Sequence, residues 1–575
     1  MKEIVTRTAV VGSGCAGLNA ADCLAALGQE VLLITEGMNC GTSRNTGSDK
    51  QTYYKLSLAG DDGDSVGEMA RTLCGPDVDG DIALCEAAGS ARAFFKLVQL
   101  GVPFPANEMG EYVGYQTDHD TRRRATSAGP LTSRYMTEAL EKSVRARGVP
   151  VLDNTLVFRI LTGENGVCGL LCLDRRTRAP VAVRCANVVL ATGGPAGIYA
   201  DRVYPPSQFG MSGMALATGC AGVNLHCWQY GLASVGFRWN VSGSYQQAIP
   251  RYVSVDQAGT EREFLAESLP GAAALDLVFL KGYQWPFDPR KAQGSSRIDL
   301  LVKQQTDLGR RVYLDYRQNP QGYAPQALGA EARDYLARCG ALAGETPLAR
   351  LRAINAPAIE LYRAHGIDLS REMLEVRVCA QHHNGGLGVD CHWQTAVSGL
   401  YACGEAAGTF GRYRPGGTAL NSTQVGSLRA AQHIARTRRP LPPALPDPGA
   451  LTLPGGDAPA LLREVQQAMS RSAAFVRDAG GMRALARRIA EIEANRTAWD
   501  PADPALETRL RLQDALTVQK QVLAAMLYDR ENPALSGVLE TRDGACRLRP
   551  ARALPPRELW FERVWRAERE NDGEL

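Results

Sequence analysis

Residues Thr8 to Glu36 read TAVVGSGCAGLNAADCLAALGQEVLLITE. The apolar run Ala9-Val10-Val11 has the pattern of a buried parallel strand and leads straight into Gly12-x-Gly14-x-x-Gly17. An amphipathic helical pattern follows, then a second apolar run, Val31-Leu32-Leu33-Ile34, which ends on Glu36. This is the strand–turn–helix–strand–acid spacing of a dinucleotide-binding unit. Gly12 permits the tight turn, Gly14 lets the backbone approach a pyrophosphate, and Gly17 lets the helix pack on the sheet. Cys15 and Ala16 open the helix, whose N-terminus supplies unpaired N–H groups and a positive dipole end. Glu36, next to Gly37, is placed to accept hydrogen bonds from a ribose.

Length and composition bound the rest. At 575 residues the chain predicts two to four domains. Its 45% apolar and 22% charged content is that of a soluble globular protein, and Lys+Arg 64 against Asp+Glu 61 gives no electrostatic case for nucleic acid or a membrane surface. No run approaches the roughly 18 apolar residues of a membrane helix. The N-terminus passes directly into the first strand without a signal-peptide pattern, so a cytoplasmic protein is expected. The 15 cysteines are scattered, with no CxxC pair, so reduced thiols and no metal site are expected.

Three later segments have the character of further pieces of the same nucleotide site. Ala186 to Ala196 reads ANVVLATGGPA, an apolar strand ending in Thr192-Gly193-Gly194. Gly399 to Gly408 reads GLYACGEAAG, a short strand followed by Gly404-Glu405. Arg412 to Ile434 places Gly416-Gly417 just ahead of an amphipathic helix that begins near Ala419-Leu420, so a second helix N-terminus can face the cofactor.

On these segments the chain resembles the flavoprotein family of succinate dehydrogenase, fumarate reductase and L-aspartate oxidase, through residues 6–60, 185–235 and 380–435. That family's Arg-x-Gly-Gly-x-x-Leu fits Arg414-Pro415-Gly416-Gly417-Thr418-Ala419-Leu420, and its Gly-Glu beside the ribityl chain fits Gly404-Glu405. The resemblance implies FAD, with the flavin ring between a nucleotide domain and a capping domain. It places Thr42, Ser43, Thr46, Gly47 and Ser48 of the TSRNTGSD loop against the flavin. Members in membrane complexes carry a histidine bound covalently to FAD in that loop. Here the neighbourhood has Arg44 and no histidine, so non-covalent FAD is predicted.

The predicted fold class is α/β: a Rossmann-like, doubly wound FAD-binding domain with an inserted α+β capping domain and a C-terminal helical domain. Residues 1–60, 150–235 and 380–440 form the FAD domain, with 61–149 as a mostly helical insertion. Residues 236–379 form the cap, 441–454 a Pro-rich linker, and 455–575 the helical domain.

The resemblance implies a substrate held over the flavin, with Arg414 as a clamp for an anionic group. Three departures follow. The family's His-x-x-x-Gly-Gly appears as Gln381-His382-His383-Asn384-Gly385-Gly386, with Gln381 at the histidine position. Its Gln-x-His-Pro appears as Gln229-Tyr230-Gly231-Leu232, with His226 three residues upstream. Its Arg-Gly-x-Gly, whose arginine donates a proton in fumarate reductases, has Arg251 of Ile249-Pro250-Arg251-Tyr252 as its nearest counterpart. The catalytic candidates are therefore Arg414, His382, His383, Arg251 and His226, and the substrate-binding candidates Gln229, Gln381, Tyr252 and Asn384, each with a plain structural reading beside the functional one. His119 reads better as part of a solvated loop.

The expected activity is hydride transfer between a small polar substrate, neutral or singly charged, and flavin N5, with succinate, fumarate and aspartate disfavoured. No second GxGxxG is visible, so the electron partner is a protein, a quinone or O2. Oligomeric state stays open, a homo-oligomer included. The alternatives are an electron-transfer subunit beside an iron–sulfur partner, a non-catalytic FAD-binding protein, and a flavin oxidase or monooxygenase.

Overall fold

Four apolar runs quoted above become neighbours in one sheet. The computed structural model describes residues 2–59, 62–117, 120–269, 272–533 and 535–556, so His119 and residues 557–575 fall outside it. Within it, Leu400–Ala402, Asn187–Leu190, Thr8–Val11, Val31–Ile34 and Val151–Leu152 form a five-stranded parallel sheet in that order. The first four strands are buried at every residue, which is why they read as unbroken apolar runs. All five point the same way, so the loops after them gather at one edge.

The turn after the first strand is locked by two close approaches. Gly12 has φ +110°, and a Cβ there would lie 2.3 Å from the Ala191 carbonyl oxygen; a Cβ on Gly17 would lie 1.8 Å from the Gly12 carbonyl oxygen. Both positions therefore exclude side chains. The helix Cys15–Ala26 begins at Gly14 with no side-chain cap and no acid in its first turn. It packs between the helices Thr418–Thr437 and Thr132–Ala146.

A second sheet, unforeseen from sequence, joins Lys2–Val5, Pro180–Arg184, Gly166–Asp174 and Thr155–Gly163. The insertion after residue 60 is helical, with Val66–Leu73, Gly80–Gln99 and Thr132–Ala146. The cap holds a five-stranded sheet in the order Trp228–Ser234, Leu374–His383, Arg311–Asp315, Arg251–Val255, Glu261–Arg262. Its first strand lies just before residue 236 and its second crosses residue 379, so the cap is joined to the rest of the chain by paired strands rather than by a linker. Helix Arg297–Asp307 packs on it and is tied to helix Ala273–Lys281 by the fully buried Lys281–Asp299 ion pair.

The Pro-rich stretch 441–454 is pinned, not loose. Arg184 donates to the Pro442 carbonyl and Arg159 to the Pro448 carbonyl, each at 2.9 Å, and Thr452–Pro454 pairs with Arg496–Ala498. Beyond it lie helices Ala458–Ser472, Ala479–Ala494 and Leu506–Glu531, which pack on one another. The purely helical expectation for this region needs one correction. Val538–Arg542 and Ala545–Arg549 form a hairpin whose first strand pairs with Gly222–Val223 of the nucleotide domain. No helix among the described residues is long and apolar enough to cross a membrane.

Glu86, on the helix Gly80–Gln99, is 1% exposed. Burial pushes its carboxyl up to about 7, opposed by the Ser422 and Thr409 hydroxyls. In the unfolded chain it ionises near the ordinary glutamate value. Between that value and about 7 the folded state holds the extra proton, so stability falls as pH rises through this window and stays lowered above it. Relative to Glu86→Gln, which has no proton to lose, the wild type should lose about 3 kcal/mol of stability between about pH 5 and pH 8. Denaturant titrations at the two pH values check this; parallel pH dependence would contradict it.

Candidate functional site

The loops at the carboxyl edge of the parallel sheet and one end of the cap sheet enclose a cavity of about 880 Å³. Gly12, Gly14, Cys15, Ala16, Glu36, Thr42, Ser43, Thr46, Gly47, Ser48, Thr192, Gly193, Glu405, Gly417, Ala419 and Leu420 line it. Three expected contacts stand behind this wall. Gly17 presses on the Gly12 carbonyl, Gly37 accepts from the Ser13 hydroxyl at 3.2 Å, and Gly194 backs onto the Glu405 side chain.

The wall fits a dinucleotide. The Thr42 and Thr192 hydroxyls are buried without a hydrogen-bond partner, and the helix N-terminus at Gly14, where the Cys15 N–H donates to the Ser43 hydroxyl at 3.3 Å, turns its positive end toward a phosphate. A second helix start, with Gly417 in the left-handed conformation, faces the same space. Arg44 is paired with Glu141 at 2.5 Å. Among the described residues, no histidine lies in the loop that touches this space.

Glu36 is held in a way that sequence reasoning missed. Arg511, from the long C-terminal helix, donates to Glu36 Oε2 at 2.5 Å and to Glu507 at 2.7 Å, with its guanidinium over the Phe209 ring. Arg175 donates to the Glu36 carbonyl at 2.9 Å and pairs with Glu507. Neighbouring Asp514 accepts from the Met214 N–H at 3.0 Å. At a sequence separation of 475 residues, no local signal announces the Arg511 contact.

At the far end the cavity is lined by Gln229, Asn240, Gln247, Trp285, Gln381, His382 and Arg414. Arg414 donates to Gln229 Oε1, to Thr418 Oγ1 at 3.1 Å and to Asn384 Oδ1 at 3.3 Å. Desolvation lowers its pKa to about 10, with Glu405 and Tyr204 opposing. It makes no ion pair with a described residue. Glu405 is raised by burial; it accepts from the Tyr204 hydroxyl and from the His383 N–H at 2.8 Å.

Asn384 fixes the His382 ring. Its Nδ2 donates to the Gly411 carbonyl at 2.8 Å, which leaves Oδ1 as an acceptor, 3.0 Å from His382 Nδ1. The neutral imidazole therefore carries its proton on Nδ1 and presents Nε2 as a lone pair. Burial and the adjacent Arg414 charge hold its pKa well below the usual histidine range.

Four candidates do not reach the cavity. His383 is 1% exposed, stacks on Trp228 at 4.3 Å between ring centres, and is pushed down to about 3 by burial. His226 is 3% exposed and faces the C-terminal bundle, where Asp529 lies 3.8 Å from its Nε2 and Arg477 binds its carbonyl at 2.7 Å. Arg251 is engaged on the cap sheet by Glu261 and Gln318, both at 3.0 Å. Tyr252 lies in the cap core and donates to Gln246 Oε1 at 2.7 Å. Each stands on a strand or turn whose inward face sequence could not assign. Asn384 is also behind the wall, but it orients two groups that line it. Trp285, Asn240 and Gln208 were missed because they sit in loops without a motif.

Comparison with known proteins identifies the family. The sequence model of the family described as "FAD binding domain" matches residues 7–420. This chain belongs to that FAD-binding flavoprotein family. An L-aspartate oxidase of Agrobacterium fabrum is 30% identical over 512 residues, 87% of each chain. A chain of the fumarate reductase (CoM/CoB) of Methanothermobacter marburgensis is 24% identical over 59% of this chain and 55% of that one. Among solved structures, E. coli quinol fumarate reductase FrdA has 19% identity and a TM-score of 0.69, covering 97% of this chain and 99% of that one. This flavoprotein is thus an FAD-dependent oxidoreductase with the fold shared by that group.

Arg511 is expected to hold Glu36 in place for the ribose. Arg511→Ala should weaken FAD binding roughly tenfold, about 1.4 kcal/mol, with Arg511→Lys intermediate. Titration of apoprotein with FAD, followed by flavin fluorescence, measures this. Unchanged affinity in Arg511→Ala would make the contact purely structural.

Proposed function

We propose that this flavoprotein binds FAD non-covalently and oxidises a small polar substrate that carries a single anionic group. The observation that carries this reading is Arg414, a guanidinium enclosed at the cavity wall and held by three neutral oxygens without a carboxylate partner among the described residues. An enclosed cation of this kind is completed by an anion. Gln229, Gln381, Asn240, Gln247 and His382, which line the cavity with it, are uncharged, and the cations Lys50 and Arg338 also line it; this reading seats one anionic group on Arg414 and the neutral part of the substrate against the amides. Succinate, fumarate and aspartate are therefore disfavoured in this reading, although relatives named above act on fumarate or L-aspartate by their names.

When bound, FAD supplies the two-electron acceptor for hydride from a substrate carbon. The chain's own residues do the rest. Arg414 binds and orients the anionic group, with Gln229, Thr418 and Asn384 holding the guanidinium plane. His382 accepts at Nε2 the proton released from a substrate O–H or N–H as the C–H bond breaks. Asn384 holds the tautomer that makes this possible. A neutral, poorly basic imidazole takes up a proton rather than supplying one, and Arg251, the expected donor, is engaged elsewhere. Both features favour oxidation over reduction of a double bond. The electron acceptor that follows is a protein, a quinone or O2.

Anaerobic mixing with a library of monoanionic amino acids, hydroxy acids and amides should bleach the flavin band with one class. Arg414→Ala and His382→Ala should retain FAD but slow bleaching by about 100-fold or more. With His382 already neutral, the wild-type rate should not fall as pH drops from about 8 to about 6. Normal bleaching by both variants would remove these residues from the mechanism.

A further inference from the structure

The pairing of Trp228–Ser234 with Leu374–His383 slips at one point. Gln229 opposes His382 and Tyr230 opposes Ala380, which leaves Gln381 as the extra residue of a bulge. Bulges re-aim side chains beside sites. Gln381 is 8% exposed and lines the cavity. Its amide orientation is set by Leu232, whose carbonyl can only accept and receives Nε2 at 3.3 Å. Oε1 is therefore the free end, and it has no hydrogen-bond partner.

Trp285 meets it there. The segment carrying this residue is tied to the same strand by the Phe287 N–H, which donates to the Tyr230 carbonyl at 2.7 Å. The indole lines the cavity and its Nε1 also lacks a partner. The two groups come together over Gly231, where a Cβ would lie 2.7 Å from Trp285 Nε1 and 2.8 Å from Gln381 Oε1. Any side chain at Gly231 is excluded, including the histidine of the related pattern. Both positions where that pattern has histidine thus give way to one neutral corner, an acceptor beside a donor.

We infer that this corner reads a carboxamide, and that the substrate is the monoamide of a small dicarboxylate rather than the diacid. The amide N–H₂ meets Gln381 Oε1 and the amide C=O meets the Trp285 N–H. A carboxylate in the same place offers only acceptors and sets its lone pairs against Oε1. Arg414 then holds the remaining carboxylate. This inference rests on reading the cavity as a substrate site, and it concerns binding rather than the redox step.

The test is equilibrium titration of the oxidised holoenzyme, without oxygen, followed by the flavin difference spectrum. The matched probes are L-asparagine against L-aspartate and succinamate against succinate. At least one monoamide should bind tenfold or more tightly than its diacid. Trp285→Phe, which keeps the ring and loses the N–H, should lower that affinity tenfold or more and leave the diacid nearly unchanged. Gln381→His should erase the preference. Diacids binding as tightly as their monoamides, no binding by either, or an unaltered preference in Trp285→Phe would each overturn the inference. A diacid that binds and bleaches the flavin would sink this inference and leave the oxidoreductase reading intact. A monoamide that binds with the predicted preference and leaves the flavin oxidised would do the reverse.

Discussion

The polar end of the cavity is organised around Arg414, a guanidinium that forms no ion pair with a described residue. Arg414 sits where the helix Thr418–Thr437 begins, and its neighbours in contact are an amide oxygen of Gln229, another of Asn384 and a hydroxyl of Thr418. Neutral oxygens fix its plane without cancelling its charge. The surrounding protein resists that charge, as the lowered pKa records. The same Asn384 oxygen that receives Arg414 also receives His382 Nδ1. One small amide therefore sets the direction of the cation and the tautomer of the imidazole together, and turning that amide would cost both of them a partner.

That arrangement is possible because two sheets deliver their ends to one place. The parallel sheet brings its loops to the cavity from below, and the cap sheet brings the strands Trp228–Ser234 and Leu374–His383 from above. Because these two strands pair with each other along their length, this end of the cavity is built on ladder hydrogen bonds rather than on a hinge. Asp49 adds a second tie. It leaves the loop beside the cavity to accept from the Ser244 N–H at 3.1 Å and from Asn355 at 2.6 Å, where the helix Pro347–Ala364 is kinked.

The parts legible in the sequence are those where local pattern and tertiary role coincide. Val10, Leu33, Val189 and Tyr401 are apolar on both sides because the sheet is covered on both sides, so their runs announce buried strands. Gly12 and Gly17 could be read because the need for a missing Cβ is a property of the turn itself. The substrate end was less legible. His226, His382 and His383 are alike in type and close in sequence, but one faces the C-terminal bundle, one the cavity and one a tryptophan ring. Which way a strand residue points depends on register, and here a bulge shifts the register between Gln229 and Tyr230. Arg251 and Tyr252 were placed by proximity to a motif, whereas their strand belongs to the far side of the cap sheet. Arg511 was invisible for a different reason: only the docking of a distant helix brings it to Glu36.

That last contact gives the molecule an order of events during its synthesis. Chains emerge from the N-terminus, and domains fold as units in that order. The glycine turn, the first helix and Glu36 are made within the first few dozen residues, but the arginine that steadies the acid is made only when the chain has reached residue 511. A nascent chain can thus form the first glycine turn early, but Glu36 gains its Arg511 partner only when the long C-terminal helix docks. That contact is a sign that the chain has been made through residue 511 and has closed back upon its start.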